Sequence, residues 1–127
     1  MNTDVIKQTI NSLLEKAKEL INDPNKRKDF IDKLSKNNLS IKKVEKEIPD
    51  LPILVDMIMD YFNEEYKDIE MKNVAIIVAC LLYVMNSSDL IPDIIPKIGV
   101  KDDVALTNFC INIIKDDLNK YKQNITK

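Results

Sequence analysis

Apolar residues recur at intervals of three and four along most of the chain, and that recurrence divides it into helices. Val5, Ile6, Ile10, Leu13, Leu14, Ala17, Leu20 and Ile21 form one stripe, which predicts an amphipathic helix over 3–22 with Thr3 as its N-cap. Asp23-Pro24 then reads as a new start, because proline is tolerated where a helix has no N–H to bond. The second helix is short, turns Phe30, Ile31 and Leu34 inward, and ends at Asn37-Asn38. A third begins near Ser40 with Ile41, Val44 and Ile48 as its stripe. Asp50, between Pro49 and Pro52, is placed to cap a fourth helix reaching about residue 66, with Leu51, Leu54, Val55, Ile58, Met59, Tyr61 and Phe62 at helical spacing.

From residue 74 to 85 the pattern changes. Twelve residues in a row are apolar, so a helix there must be covered on most sides. Asp68 is its expected start and Asn86-Ser87-Ser88 its stop. Twelve falls well short of the ~20 apolar residues a bilayer span needs. Val104, Ala105, Leu106, Phe109, Cys110, Ile113, Ile114, Leu118 and Tyr121 predict a last helix over 103–121, with the chain fraying after Lys122. These elements make an all-α compact bundle of five or six helices in a single domain, 1–127. Leu81, Leu82, Ile94, Ile95, Phe109 and Ile113 are its expected core residues.

Between the last two helices lies the most unusual stretch, residues 89–103. It holds two Asp-[Leu/Ile]-Ile-Pro units in tandem, then Gly99, the only glycine in the chain, then Asp102-Asp103. Pro92 suits the first turn of a helix begun at Asp89. Pro96 does not continue it, lacking the N–H that would bond the carbonyl of Pro92. The expectation is one helical turn, a break, and a tight turn at Gly99, where a chain that otherwise avoids glycine needs its conformational freedom. Asp102 would cap the next helix, with Asp103 in its first turn. Asp89, Pro92, Asp93, Pro96, Gly99, Asp102 and Asp103 thus form a rigid acidic corner. Its carboxylates read first as caps and local acceptors. The alternative is an oxygen-ligand site for Mg²⁺ or Ca²⁺ at Asp89, Asp93, Asp102 and Asp103, although the spacing is not that of a calcium loop.

Composition narrows the chemistry. The chain has no histidine, which removes serine–histidine and cysteine–histidine catalysis and the usual zinc and haem ligation. A lone glycine removes the phosphate-cradling loops of nucleotide-binding proteins. Cys80 and Cys110 each sit in an apolar helical pattern and read as small core residues of a reducing compartment, with a contact between them left open. Arg27 is the sole arginine and the net charge is −2, so nucleic acid is not an expected partner. The lysines over 26–46 alternate with acids and read as a solvated face, with attraction to anionic lipid as the alternative. The first helix has a similar alternative, as a membrane-surface helix. The N-terminus is polar and carries no secretory signal, which points to a cytoplasmic protein, peripheral at most to a membrane.

The run Ala79-Cys80-Leu81-Leu82-Tyr83, continuing through Asp89-Leu90-Ile91-Pro92-Asp93 and Pro96 to Gly99 and Asp102-Asp103, resembles the YkvA-like domain of unknown function. The resemblance covers about 74–109, and residues 1–50 lie wholly outside it. Where that family usually has proline after its helix, this chain has Ser87. The resemblance implies a mainly bacterial family, some of whose members are membrane-associated and some of whose eukaryotic relatives sit beside a RING-finger module. It therefore points to a non-catalytic helical module that binds a protein partner or a membrane surface and needs no cofactor. The competing reading remains a divalent-metal protein, with hydrolysis at the aspartate cluster.

Overall fold

A computed structural model of the chain describes residues 3–36, 39–85 and 100–125, with side chains described at 3–36, 41–85 and 104–125. The described residues form six helices: α1 (Thr3–Asn22), α2 (Pro24–Lys36), α3 (Leu39–Glu45), α4 (Leu51–Phe62), α5 (Met71–Met85) and α6 (Val100–Ile125). No described residue is in a strand. The all-α bundle expected from periodicity is the observed architecture. Helix α5 is its axis: Val74, Ala75 and all of residues 77–84 are buried. Helices α1, α3, α4 and α6 all pack against it, α1 and α6 most extensively.

Helices α5 and α6 run antiparallel, as three contacts show. Glu70 and Asn73, at the start of α5, bond to Asp117, while Cys80 bonds to Thr107. Moving up α5 therefore means moving back along α6. Leu81 and Leu82 are fully buried, as expected. Ile94 and Ile95 lie outside the described residues, as do Asp89, Pro92, Asp93, Pro96 and Gly99.

The buried stripe of α6 is narrower than its apolar pattern. Leu106, Cys110, Ile114, Leu118 and Tyr121 are buried, whereas Phe109 is half-buried and Ile113 is 45% exposed. Ile113 is thus not a core residue. It stands ~100° round the helix from Ile114, and the groove described below opens there. Val5 likewise stands exposed although it continues the stripe of α1; Thr9 is buried nearby and donates its hydroxyl back to the Val5 carbonyl at 2.8 Å.

The ends of three helices differ from expectation. Helix α4 stops at Phe62 rather than near residue 66. Glu64 takes a left-handed conformation (φ 63°), its N–H bonds to the Tyr61 carbonyl, and the Glu65 N–H bonds to the Asp60 carbonyl at 2.9 Å. That pairing is a Schellman closure, and glycine is its usual signal. Helix α5 begins at Met71 rather than Asp68. Helix α6 begins at Val100 rather than Asp103, so the backbone of Asp102 lies within the helix rather than at a cap ahead of it, and the helix continues past Lys122 to Ile125.

The start of α2 is as the sequence predicts. Asp23 Oδ1 accepts the N–H groups of Asn25 at 2.9 Å and Lys26 at 3.3 Å, with Pro24 leading the helix. Arg27 closes the preceding end by donating Nη1 to the Ile21 carbonyl at 2.9 Å. Asp50 does not cap α4 through its side chain. Its carboxylate instead takes Lys122 Nζ at 2.9 Å, tying the end of α6 to the start of α4.

Candidate functional site

The site with the most chemistry among the described side chains lies where α5 begins against the second half of α6. After α4 closes, Tyr66 packs edge-on over Tyr121, ring centroids 5.0 Å apart, and Lys67 Nζ sits 3.8 Å from the Tyr61 ring centroid. Ile69 is buried and anchors the connection. The chain then delivers Glu70 to Asp117. Asp117 Oδ2 accepts the Glu70 N–H at 3.1 Å and the Asn73 side-chain amide at 2.7 Å. One carboxylate on α6 thus closes the start of α5 from outside it, where unbonded N–H groups and the helix dipole favour negative charge.

Asn73 is 7% exposed, and its amide orientation is fixed. Its nitrogen must face Asp117, because the reverse placement would set two acceptors together. Asn73 Oδ1 is then a buried acceptor that no donor among the described residues reaches. Beside it opens a groove of ≈ 540 Å³. Glu70, Asp116 and Asp117 line it with Lys72, Lys120 and the exposed Ile113. Lys72 Nζ pairs with Glu70 at 3.5 Å, both side chains largely exposed.

Two further contacts surround this end of the bundle. Tyr121 donates its hydroxyl to Asp60 Oδ2 at 2.6 Å. Burial, then that hydrogen bond, then the neighbouring carboxylates push the Tyr121 phenol above the usual tyrosine range. Burial and the charges of Asp68 and Asp117 raise Tyr66 in the same direction. Deeper in the bundle, Cys80 Sγ lies 3.6 Å from Thr107 Oγ1 and within hydrogen-bonding reach of Cys110. The bond to Cys80 and then burial hold the Cys110 thiol well above its usual value. Both cysteines are free and buried, out of reach of reagents in solvent.

Of the seven residues singled out in the sequence, five lie outside the described residues, and nothing is described of the side chains of Asp102 and Asp103. No cluster of three or more metal-ligating acidic or cysteine side chains occurs among the described residues. Asn73, Asp117 and the Tyr121–Asp60 pair were not singled out. The available signal was a carboxylate at Asp117, on the buried stripe between Ile114 and Leu118.

Residues 73–109 match the family described as "Protein of unknown function (DUF1232)". The match opens on Asn73 and takes in most of α5 and the first part of α6. Over 85 residues the chain is 29% identical to "Uncharacterized membrane protein YkvA" of Bacillus subtilis (strain 168), an alignment covering 67% of this chain and 80% of that protein. No solved structure matches the chain. The chain therefore carries a YkvA-like domain of unknown function, with residues 73–109 as its family segment.

Proposed function

We propose that this chain is a non-catalytic helical module that attaches to the surface of an anionic membrane through its α2–α3 region. The observation that carries the reading is the placement of α5. This most apolar segment is 15 residues, ~22 Å at 1.5 Å per residue, and is buried by other helices rather than presented to lipid. No helix among the described residues is long and apolar enough to cross a membrane. The Bacillus relative is nonetheless a membrane protein by name. Surface attachment reconciles the two.

Charge supplies the face. Residues 24–47 hold eight basic and four acidic side chains, in a chain whose net charge is −2. Lys28, Lys36, Lys42, Lys43 and Lys46 are exposed, and no ion pair engages them among the described residues. At ~1 kcal/mol for each net charge near an anionic surface, the excess of four is worth about 4 kcal/mol. That is weak, reversible and salt-sensitive binding.

Flotation with phosphatidylserine-containing vesicles tests this. Binding at low salt, lost at about 0.5 M salt and in the Lys42→Glu/Lys43→Glu variant, is the expected result. Absence of flotation at low salt, or flotation indifferent to both changes, would reject the membrane reading in favour of a protein partner.

A further inference from the structure

Cys80 and Cys110 face each other across α5 and α6, and two independent contacts fix that pairing. The first is the bond from Asn73 on α5 to Asp117 on α6, at 2.7 Å. Cys80 lies seven residues on from Asn73, and Cys110 seven residues back from Asp117. Seven residues are close to two turns, so in an antiparallel pair that step leads to the same two faces, ~10 Å further along. The second contact sets Cys80 Sγ 3.6 Å from Thr107 Oγ1. Thr107 stands one turn from Cys110 on the same face of α6. The two sulfurs are within hydrogen-bonding reach, and all three side chains are buried. Cysteine and threonine are small, so their contacts bring the helix axes toward the short end of the ~8–10 Å packing range. A disulfide needs that closeness, with Cβ atoms ~3.5–4.5 Å apart. A metal does not explain the pair, because no cluster of three or more metal-ligating acidic or cysteine side chains occurs among the described residues.

We propose that Cys80 and Cys110 are a reversible redox pair, which a peroxide-class oxidant closes to a disulfide that clamps α5 to α6. One sulfur, as its thiolate, attacks hydrogen peroxide. The O–O bond breaks, giving a sulfenic acid and a hydroxide that takes up the thiol's proton as water. The other sulfur then attacks the sulfenic sulfur, forming the S–S bond, and the hydroxyl leaves with the second thiol's proton as another water. The two thiols together lose two protons and two electrons, and the peroxide is reduced to two waters. In the closed bundle the bond to Cys80 and burial keep the Cys110 thiol protonated, and solvent reaches neither sulfur. Oxidation therefore proceeds through openings of α6 from α5, and the disulfide then holds the reclosed pair together. A dithiol reductant reverses it. The inference does not rest on the membrane attachment proposed above, because it uses different helices and needs no vesicles.

The experiment exposes the full chain to hydrogen peroxide across a urea series that spans the opening of the bundle, then removes both reagents. Intact mass and a peptide map under non-reducing conditions read the product. The expected product is a single chain lighter by about 2 Da, with the Cys80 and Cys110 peptides joined, and dithiothreitol should restore the starting mass. Its formation should quicken as urea opens the bundle. The thermal midpoint of the oxidised chain should lie about 10 °C above that of the reduced chain, the effect of closing a ring of about 30 residues in the unfolded state. Cys80→Ala should abolish both the mass loss and the rise. Because that position is buried and the variant could fail to fold, the wild-type peptide map and midpoint decide the matter without it. Sulfinic or sulfonic products in place of the disulfide would overturn the proposal. So would a bond between two chains, no change in mass at any urea concentration, or an internal bond that lowers the midpoint, since a native pair closes without straining the helices.

Discussion

Replacing Asp117 with alanine should unfold this protein more readily than any other single carboxylate change at the α5–α6 end. Asp117 is 6% exposed, and its Oδ2 holds two donors on the opposite helix, the Glu70 N–H at 3.1 Å and Asn73 Nδ2 at 2.7 Å. A hydrogen bond to a charged group contributes ~1.5–3 kcal/mol when its loss strands the partner. Negative charge at a helix start adds ~0.3–1 kcal/mol. The groove beside Asn73 is open, so water can recover part of the loss, and the net cost should be about 2–4 kcal/mol. Unfolding entropy of ~2.1 cal/mol/K per residue gives ~0.27 kcal/mol per degree for a 127-residue chain, so the midpoint should fall by ~7–15 °C. Asp116→Ala, one position along and exposed, is the control and should change stability by less than about 0.5 kcal/mol. Thermal unfolding followed by far-UV circular dichroism reads both. Equal small shifts for the two variants would refute the idea that Asp117 closes α5.

Three other outcomes follow from named contacts. Tyr121 is raised above the ordinary tyrosine pKa of ~10 in the fold, so its stabilisation is complete below pH 10 and is lost as pH climbs through the folded value; urea midpoints should fall above pH 10, and Tyr121→Phe should flatten that fall, whereas an unchanged alkaline limb would implicate other groups. Glu64→Gly should raise stability by up to about 1 kcal/mol, because a side chain in the left-handed region carries a cost that glycine lacks; a destabilised variant would mean that Glu64 makes contacts outweighing it. At the aspartate corner, Mg²⁺ and Ca²⁺ should leave the midpoint unchanged while Asp93→Asn lowers it, as for local hydrogen-bond acceptors. An ion-dependent rise abolished by Asp93→Asn would make those aspartates ligands.

The order of the helices and the burial of α5 were legible in the chain because burial imposes its period on the residues, whereas Ile113, expected in the core, is exposed. The stripe of α1 and the continuous apolar run of α5 are direct readouts of what surrounds them. Helix ends were less legible. The Schellman turn after α4 uses Glu64 where glycine would have announced it, and the preceding residues keep helical spacing to residue 66. The Asp117 contacts were illegible for a different reason. A carboxylate among Ile114, Leu118 and Tyr121 looks like an interruption until α5 is placed opposite it, and the partners are 44 and 47 residues away in sequence. The Cys80–Cys110 contact likewise needed the antiparallel pairing of α5 with α6. The proline and aspartate corner was the most conspicuous feature of the chain, and most of it lies outside the described residues.

The central claim is that α5 is a protein core held by its neighbours, with the membrane met only at the surface. Hydrogen exchange on vesicle-bound protein across a urea series tests it most directly. A core helix predicts that the amides of residues 74–84 lose protection together with the buried amides of α1 and α6, at one shared midpoint. Persistent protection of 74–84 after α1 and α6 have exchanged would show that lipid, not the bundle, covers α5, and would contradict the claim.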